Sequence, residues 1–284
     1  NTIMVPARSP IPAAIFLNRT GGEKMNDRER EAYLNRIGYE GELRTDKKCL
    51  EKIMDLHLCS IPFENLEVFD EGRIPSLKWE DIYEKIIVRK RGGYCFELNK
   101  LFYELLKALG FQVIPVAVRI LWNREELPPV LHRATLVIFE EGSYYCDVGF
   151  GGPGPKKPVL MKDGIHKEKN GWYRVNMKPG NTNGEILVER KKEEKYLPIF
   201  RFSQTPAVEA DFELLNFYCA KSPDVLFTQK RVVSICNPEG SVALTGDVLT
   251  IQKEDGSIET KISDSEETIR LWMEHYFGSE LLQI

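Results

Sequence analysis

Arg91-Gly92-Gly93-Tyr94-Cys95-Phe96-Glu97-Leu98-Asn99 places a glycine pair, a cysteine and the start of a helix in one short run. Leu98, Leu101, Phe102, Leu105, Leu106 and Leu109 follow at i, i+3, i+4, i+7, i+8 and i+11, the spacing of one apolar helix face, and Gly110 supplies the stop. Past Gly110 the apolar period changes from helical to alternating. Residues 113–121, 132–139 and 144–150 read as strands, with Glu140-Glu141-Gly142-Ser143 as the hairpin turn between the last two. The cysteine-bearing stretch therefore lies at the junction of a helical and a β region.

Upstream, the pattern predicts a helix capped by Asn26 or Asp27 and stopped by Gly38, a second capped by Thr45 and carrying Leu50, Ile53, Met54 and His57, a loop over 61–66, and a third helix over 79–88. Downstream, strands are expected over 172–177, 186–190 and 200–202. A short helix over 208–219, strands over 231–236, 241–244 and 248–252, and a terminal helix from Ser265 complete the chain. Residues 1–24, with Pro6, Pro10, Pro12 and Gly21-Gly22, hold only a short apolar run and lack the features of a signal peptide. We read Met25 as the native start and 1–24 as a cloning-derived leader, the alternative being an unusual native extension.

The 284 residues are enough for two or three compact units. A hydrophobic share of 42% rules out a disordered chain. With 39 basic and 43 acidic side chains scattered along the sequence, the net charge of −4 excludes the clustered positive charge that nucleic acid or anionic membranes require. The best apolar stretch, 111–118, contains Pro115 and ends at Arg119, far short of a membrane span. Six cysteines at 49, 59, 95, 146, 219 and 236 form no CxxC pair and have no histidine at ligand spacing. The expectation is a reduced, cytoplasmic protein without a zinc site or disulfide framework.

Cys95 is the candidate nucleophile. The glycines let the backbone turn into the helix, and the unpaired first-turn N–H groups then point towards the sulfur and favour a thiolate. The competing reading is a small buried apolar residue at the head of a core helix. A nucleophilic cysteine needs a base. Of four histidines, His57 lies on an apolar helix face, His166 in a charged loop and His275 in the terminal helix, which leaves His132. Asp147, within an apolar strand, is costly there unless it has a partner, and an imidazole would supply one. The expected hairpin only half supports the pair. A 140–143 turn sets residue 136 opposite 147, so His132 and Asp147 share a face but stand about 13 Å apart along the strand. A bulge, another turn register, or a His132 outside the strand is needed to join them.

Taken together, Arg91-Gly92-Gly93-Tyr94-Cys95-Phe96-Glu97, His132 before an apolar strand, and Asp147-Val148-Gly149-Phe150-Gly151 resemble the signature blocks of the arylamine N-acetyltransferases. Ile61-Pro62-Phe63-Glu64-Asn65-Leu66 resembles that family's upstream block. Asp211-Phe212-Glu213 through Asn216, Tyr218, Ser222-Pro223 and Phe227 resembles its later one. The blocks run in the family's order from Met25 to the C-terminus.

The resemblance implies an α+β fold of three lobes: an N-terminal helical bundle (25–110) with the nucleophile, a β-barrel-like middle (111–207) with the histidine and aspartate, and an α/β lid (208–284). A cysteine-protease-like triad would lie between the first two. It implies that Cys95 takes an acetyl group from acetyl-CoA, with His132 as base and acid and Asp147 as the orienting carboxylate. The thioester would pass to an arylamine, arylhydrazine or N-hydroxyarylamine. No metal, nucleic acid or membrane partner is implied. Phe63 and Phe150 match the acceptor-pocket wall, where ordinary core packing is the alternative. Gly151, Tyr218 and Ser222 match positions near the coenzyme, as does Asp224, a poor neighbour for phosphates. Arg91 and Glu97 are expected to form a supporting ion pair. The rival readings are a family-related amide synthase acting on an aromatic-amine polyketide, a papain- or transglutaminase-like thiol hydrolase, and a non-catalytic binding homologue.

Overall fold

A computed structural model describes residues 25–178, 180 and 184–282. The leader expected over 1–24 lies outside the described residues. The helical lobe holds α1 (Asp27–Arg36), α2 (Lys47–Ser60), the two-residue strand β1 (Phe63–Glu64), α3 (Leu66–Phe69), α4 (Trp79–Tyr83) and α5 (Cys95–Ala108). Asn26 caps α1, its side chain accepting from Glu29 N–H while Glu29 returns the bond. Asp46, not Thr45, caps α2, accepting from Cys49 N–H at 2.8 Å. The helix expected over 79–88 is α4 followed by a π-helical turn, Glu84–Val88, which carries Lys85 into the interior. The expected loop at 61–66 instead supplies β1, which pairs with a later strand and bridges to Gly93.

The middle lobe is an eight-stranded antiparallel sheet: β2 (Gln112–Ile120), β3 (His132–Phe139), β4 (Gly142–Cys146), β5 (Val159–Leu160), β6 (Gly164–Glu168), β7 (Gly171–Asn176), β8 (Ile186–Lys192) and β9 (Lys195–Phe202). Its order, β5-β4-β3-β2-β9-β8-β7-β6, curls into a nearly closed barrel. Val116, Val118, Leu136, Tyr145, Phe200 and Phe202 pack inside it. His166, expected in a loop, lies on β6, its ring hydrogen-bonded to Glu168 at 2.9 Å.

After the barrel come α6 (Glu209–Lys221) and α7 (Leu226–Gln229). Strands β10 (Val232–Asn237), β11 (Gly240–Thr245), β12 (Val248–Lys253) and β13 (Ile258–Ile262) follow, then α8 (Glu266–Phe277). The sheet order is β1-β10-β11-β12-β13, so the helical lobe donates its first strand. Val233, Leu244 and Leu249 pack on Ile269, Met273 and Phe277 of α8. Helix α6 instead contributes Phe212, Cys219 and Ala220 to the helical core, beside Phe96 and Tyr94. No helix among the described residues is long and apolar enough to cross a membrane.

Candidate active site

Cys95 is the first residue of α5 and is 3% exposed. The two glycines before it serve a different purpose from the sharp turn expected. Neither has a positive φ. A Cβ on Gly92 would collide with the Pro62 carbonyl oxygen, and Glu64 N–H donates to Gly93 O at 2.9 Å. The pair lets β1 lie against the entry to α5.

Hairpin register joins the histidine and the aspartate. The turn is Glu140-Glu141 alone, and Phe139 pairs with Gly142, so Leu136 faces Tyr145 and Thr135 faces Cys146. Relative to the expected turn, the second strand slides two residues towards His132. The offset between His132 and Asp147 falls from four residues to two, about 7 Å by strand rise, which two side chains span. His132 Nε2 and Asp147 Oδ2 lie 2.6 Å apart, with both residues buried. Since Nε2 faces the carboxylate, Nδ1 is the ring nitrogen left to serve a thiol.

Asp147 holds four partners. Besides His132, Tyr145 Oη donates to Oδ2 at 2.8 Å, while Asn99 Nδ2 and Gly149 N–H donate to Oδ1 at 2.9 and 3.0 Å. Burial opposes ionisation of Asp147, but the opposing His132 charge and these donors prevail and hold its pKa below the ordinary value. Asn99 lies four residues after Cys95, hence on the same face of α5. It also donates to Arg133 O at 2.6 Å and accepts from Val148 N–H at 3.0 Å. A Cβ on Gly149 would stand 2.8 Å from Cys95 Cα and from Asn99 Nδ2, so only glycine permits this approach. The structure thus brings Cys95, His132 and Asp147 to one buried junction.

The electrostatics of the cysteine differ from the thiolate expectation. Burial pushes the Cys95 thiol well above its ordinary pKa, and the nearby Cys219 and Asp147 add to the shift. The helix amide of Phe96 pulls the other way and is outweighed. A lone thiolate is disfavoured here, so charge on sulfur has to be made by passing the proton to a base.

The expected Arg91–Glu97 ion pair is not formed. Arg91 pairs with Glu64 at 3.2 Å, while Glu97 pairs with Lys85 at 2.8 Å, because the π-helical turn delivers Lys85 between them. Glu64 and Lys85, 3.6 Å apart, link the two pairs into one buried cluster. Glu97 also accepts from Tyr94 N–H at 3.0 Å and so fixes the start of α5. Burial, only partly offset by Lys85, raises the Glu97 pKa to about 7.

Phe63 is buried against Phe227, and the half-buried Phe150 meets the His132 and Phe200 rings at 6.1 and 4.9 Å. Gly151 accepts from Ser234 Oγ at 3.0 Å and lies close against the Phe63 ring. Tyr218 is 41% exposed on α6, and Ser222 forms the end of that helix. Two open surface cavities of about 290 and 300 Å³ lie elsewhere, beside Lys47 and beside Arg73, and no triad candidate lines either. His57 is structural, bonded to Tyr33 at 2.5 Å, with its pKa lowered to about 3 by burial and the Arg36 charge. All six cysteines are free thiols, and the described residues contain no group of side chains able to hold a metal ion.

Residues 46–283 match the family model described as N-acetyltransferase. The arylamine N-acetyltransferase of Escherichia coli (strain K12) is 30% identical over 249 residues, 87% of each chain. The chain belongs to the arylamine N-acetyltransferase family. The solved arylamine N-acetyltransferase from Salmonella typhimurium is 27% identical, with a TM-score of 0.82 over 89% of this chain and 92% of that one. The Mycobacterium marinum arylamine N-acetyltransferase in complex with CoA, 24% identical, has the same fold at a TM-score of 0.82, covering 89% of this chain and 93% of that one. The expected family and fold class therefore stand, and this arylamine N-acetyltransferase family member is an acetyltransferase.

Three residues around the site of this family member escaped the sequence reading. Asn99 and Tyr145 bind Asp147, and the fully buried Arg133 forms a two-pronged pair with Glu209 at 2.9 and 3.0 Å. Burial opposes the Glu209 charge, but Arg133 and Lys100 outweigh it and lower its pKa to about 2. A usable signal existed for Asn99 in its i+4 spacing from Cys95. Arg133 carried one as well, an arginine amid an apolar strand. Tyr145 looked like any strand aromatic.

Proposed function

We propose that the protein transfers an acetyl group from acetyl-CoA through a Cys95 thioester to the nitrogen of arylamines and arylhydrazines, or to the oxygen of N-hydroxyarylamines, in the cytoplasm. The observation that supports this reading is the bonding of Asp147 to both the His132 ring and Asn99, on the helix that starts at Cys95. In the first half-reaction His132 Nδ1 takes the thiol proton as Sγ attacks the acetyl carbonyl. The C–S bond to coenzyme A breaks, and the departing thiolate takes the proton back from His132. In the second, the amine attacks the thioester, its proton passes to His132, and Cys95 leaves as the thiol. Asp147 carries no proton in either half. It fixes the ring orientation and stabilises the imidazolium.

Phe150, beside the His132 ring, and Phe63 suit the walls for a flat aromatic acceptor, and the family resemblance assigns Gly151, Tyr218 and Ser222 to the coenzyme. Incubation with acetyl-CoA alone should add one acetyl group to Cys95 by mass spectrometry, and initial rates should give parallel double-reciprocal lines. Intersecting lines without acetylated Cys95 would overturn the covalent route. Release of coenzyme A without any acetylated amine would favour the thiol-hydrolase alternative.

A further inference from the structure

Strand β13 is the last strand of the five-stranded sheet among the described residues, paired with β12 on one side. Two flanking bonds fix which of its backbone groups face β12. Lys253 N–H donates to Ser257 O at 2.9 Å and Ser263 N–H to Asp247 O at 2.8 Å, so the odd-numbered residues turn their polar groups inward. By the alternation of an antiparallel ladder, the N–H and C=O of Ile258, Thr260 and Ile262 face away from the sheet. Ile258 and Ile262 are also 64% and 75% exposed, which makes an edge both open and apolar. On the opposite face Glu259 and Lys261 pair with each other at 3.3 Å, beside Tyr276.

The order Ile258-Glu259-Thr260-Lys261-Ile262 is its own complement when reversed. Antiparallel pairing with a second copy, centred on Thr260, sets Ile258 against Ile262 of that copy, Glu259 against its Lys261, and Thr260 against its Thr260. Each facing pair at 258, 260 and 262 can then exchange both backbone hydrogen bonds, using the groups that face outward. The register is also defended. Sliding the strands by two residues sets Glu259 against Glu259 or Lys261 against Lys261, and sliding by one mismatches faces and backbone groups.

We propose that β13 is the contact strand of a twofold-symmetric homodimer in which two five-stranded sheets join edge to edge. The contact is small, so the dimer is weak and dependent on concentration. Sedimentation of the full chain from about 1 to about 300 µM should show the average mass moving from one chain towards two. Thr260→Pro removes an N–H that serves no bond to β12, so it should keep the circular dichroism spectrum and acetyl transfer while losing the dimer. Lys261→Glu and Glu259→Lys should each be monomeric, because like charges then face one another. Mixed in equal amounts, these two variants should restore the dimer, since each supplies the charge the other lacks. A chain monomeric across the whole range, a dimer that survives Thr260→Pro, or charge variants that fail to combine would each overturn the proposal.

Discussion

Asn99 and Asp147, on different lobes, are joined by one hydrogen bond of 2.9 Å. Asn99 Nδ2 also reaches Arg133 O and its Oδ1 takes Val148 N–H, so a single amide ties α5 to β3 and to the segment that follows β4. Removing it leaves buried partners unsatisfied. Asn99→Ala should therefore destabilise the fold by about 1–3 kcal/mol. It should also lower the acylation rate and move the acid limb of its pH profile upward, because Asn99 is one of the groups that keep Asp147 ionised. Melting curves and the pH dependence of kcat/KM measure both. A profile that keeps its acid limb would make Asn99 structural only.

Asp147→Asn should leave the far-ultraviolet spectrum intact and lower acylation by up to about 10⁴-fold, the size of the effect in serine triads. The stability of the two proteins should diverge in acid. The folded-state pKa of Asp147 lies below its ordinary 3.8, so its contribution is present above that value and is lost as pH falls through the folded pKa. Urea titrations at a series of acid pH values should show a shallower loss for the variant. A folded variant acetylating at the wild-type rate would remove Asp147 from the triad.

Gly149→Ala places a methyl group 2.8 Å from Cys95 Cα and Asn99 Nδ2, both held by surrounding packing. The overpacking should cost about 1–3 kcal/mol. Because the displaced atoms include the backbone of Cys95, the proposed nucleophile, acetyl transfer measured well below the melting temperature should fall as well. Unchanged activity in a destabilised protein would show that the helix start gives way without consequence.

Glu97→Gln isolates a group whose folded pKa is about 7 against an ordinary 4.5. The raised value means that the protonated form is the one favoured by folding. This contribution is fully present below 4.5 and is lost as pH rises through about 7. Between those values the wild type should lose stability with rising pH more steeply than the variant. Parallel stability curves across the window would show that Glu97 is ionised throughout.

The helix beginning at Cys95 and the strand His132–Phe139 were legible because each repeats its apolar residues at one clear period. The candidate site could be proposed from its residue types, but its geometry was illegible. That difference came down to the hairpin. Glu140-Glu141-Gly142-Ser143 reads as four turn residues, yet Gly142 and Ser143 pair as strand, and the two-residue slide is what carries Asp147 to His132. The Lys85 cluster was hidden for another reason. A π-helical turn leaves no periodic trace in a short segment, so nothing predicted that Lys85 would separate Arg91 from Glu97. The thiolate expectation rested on the helix start and on a neighbouring His132, and the near-complete burial of Cys95 that outweighs the helix amide was not visible along the chain.

The bond between Asn99 and Asp147 closes over 48 residues of chain. Neither the helices nor the barrel hairpin can assemble the proposed reactive centre on its own. On refolding, helical signal should return early, whereas the capacity to acetylate should return only once the two lobes have docked. Recovered turnover is thus a clock for the last long-range step of folding, and a chain that has regained its helices but not its chemistry has stopped one docking event short.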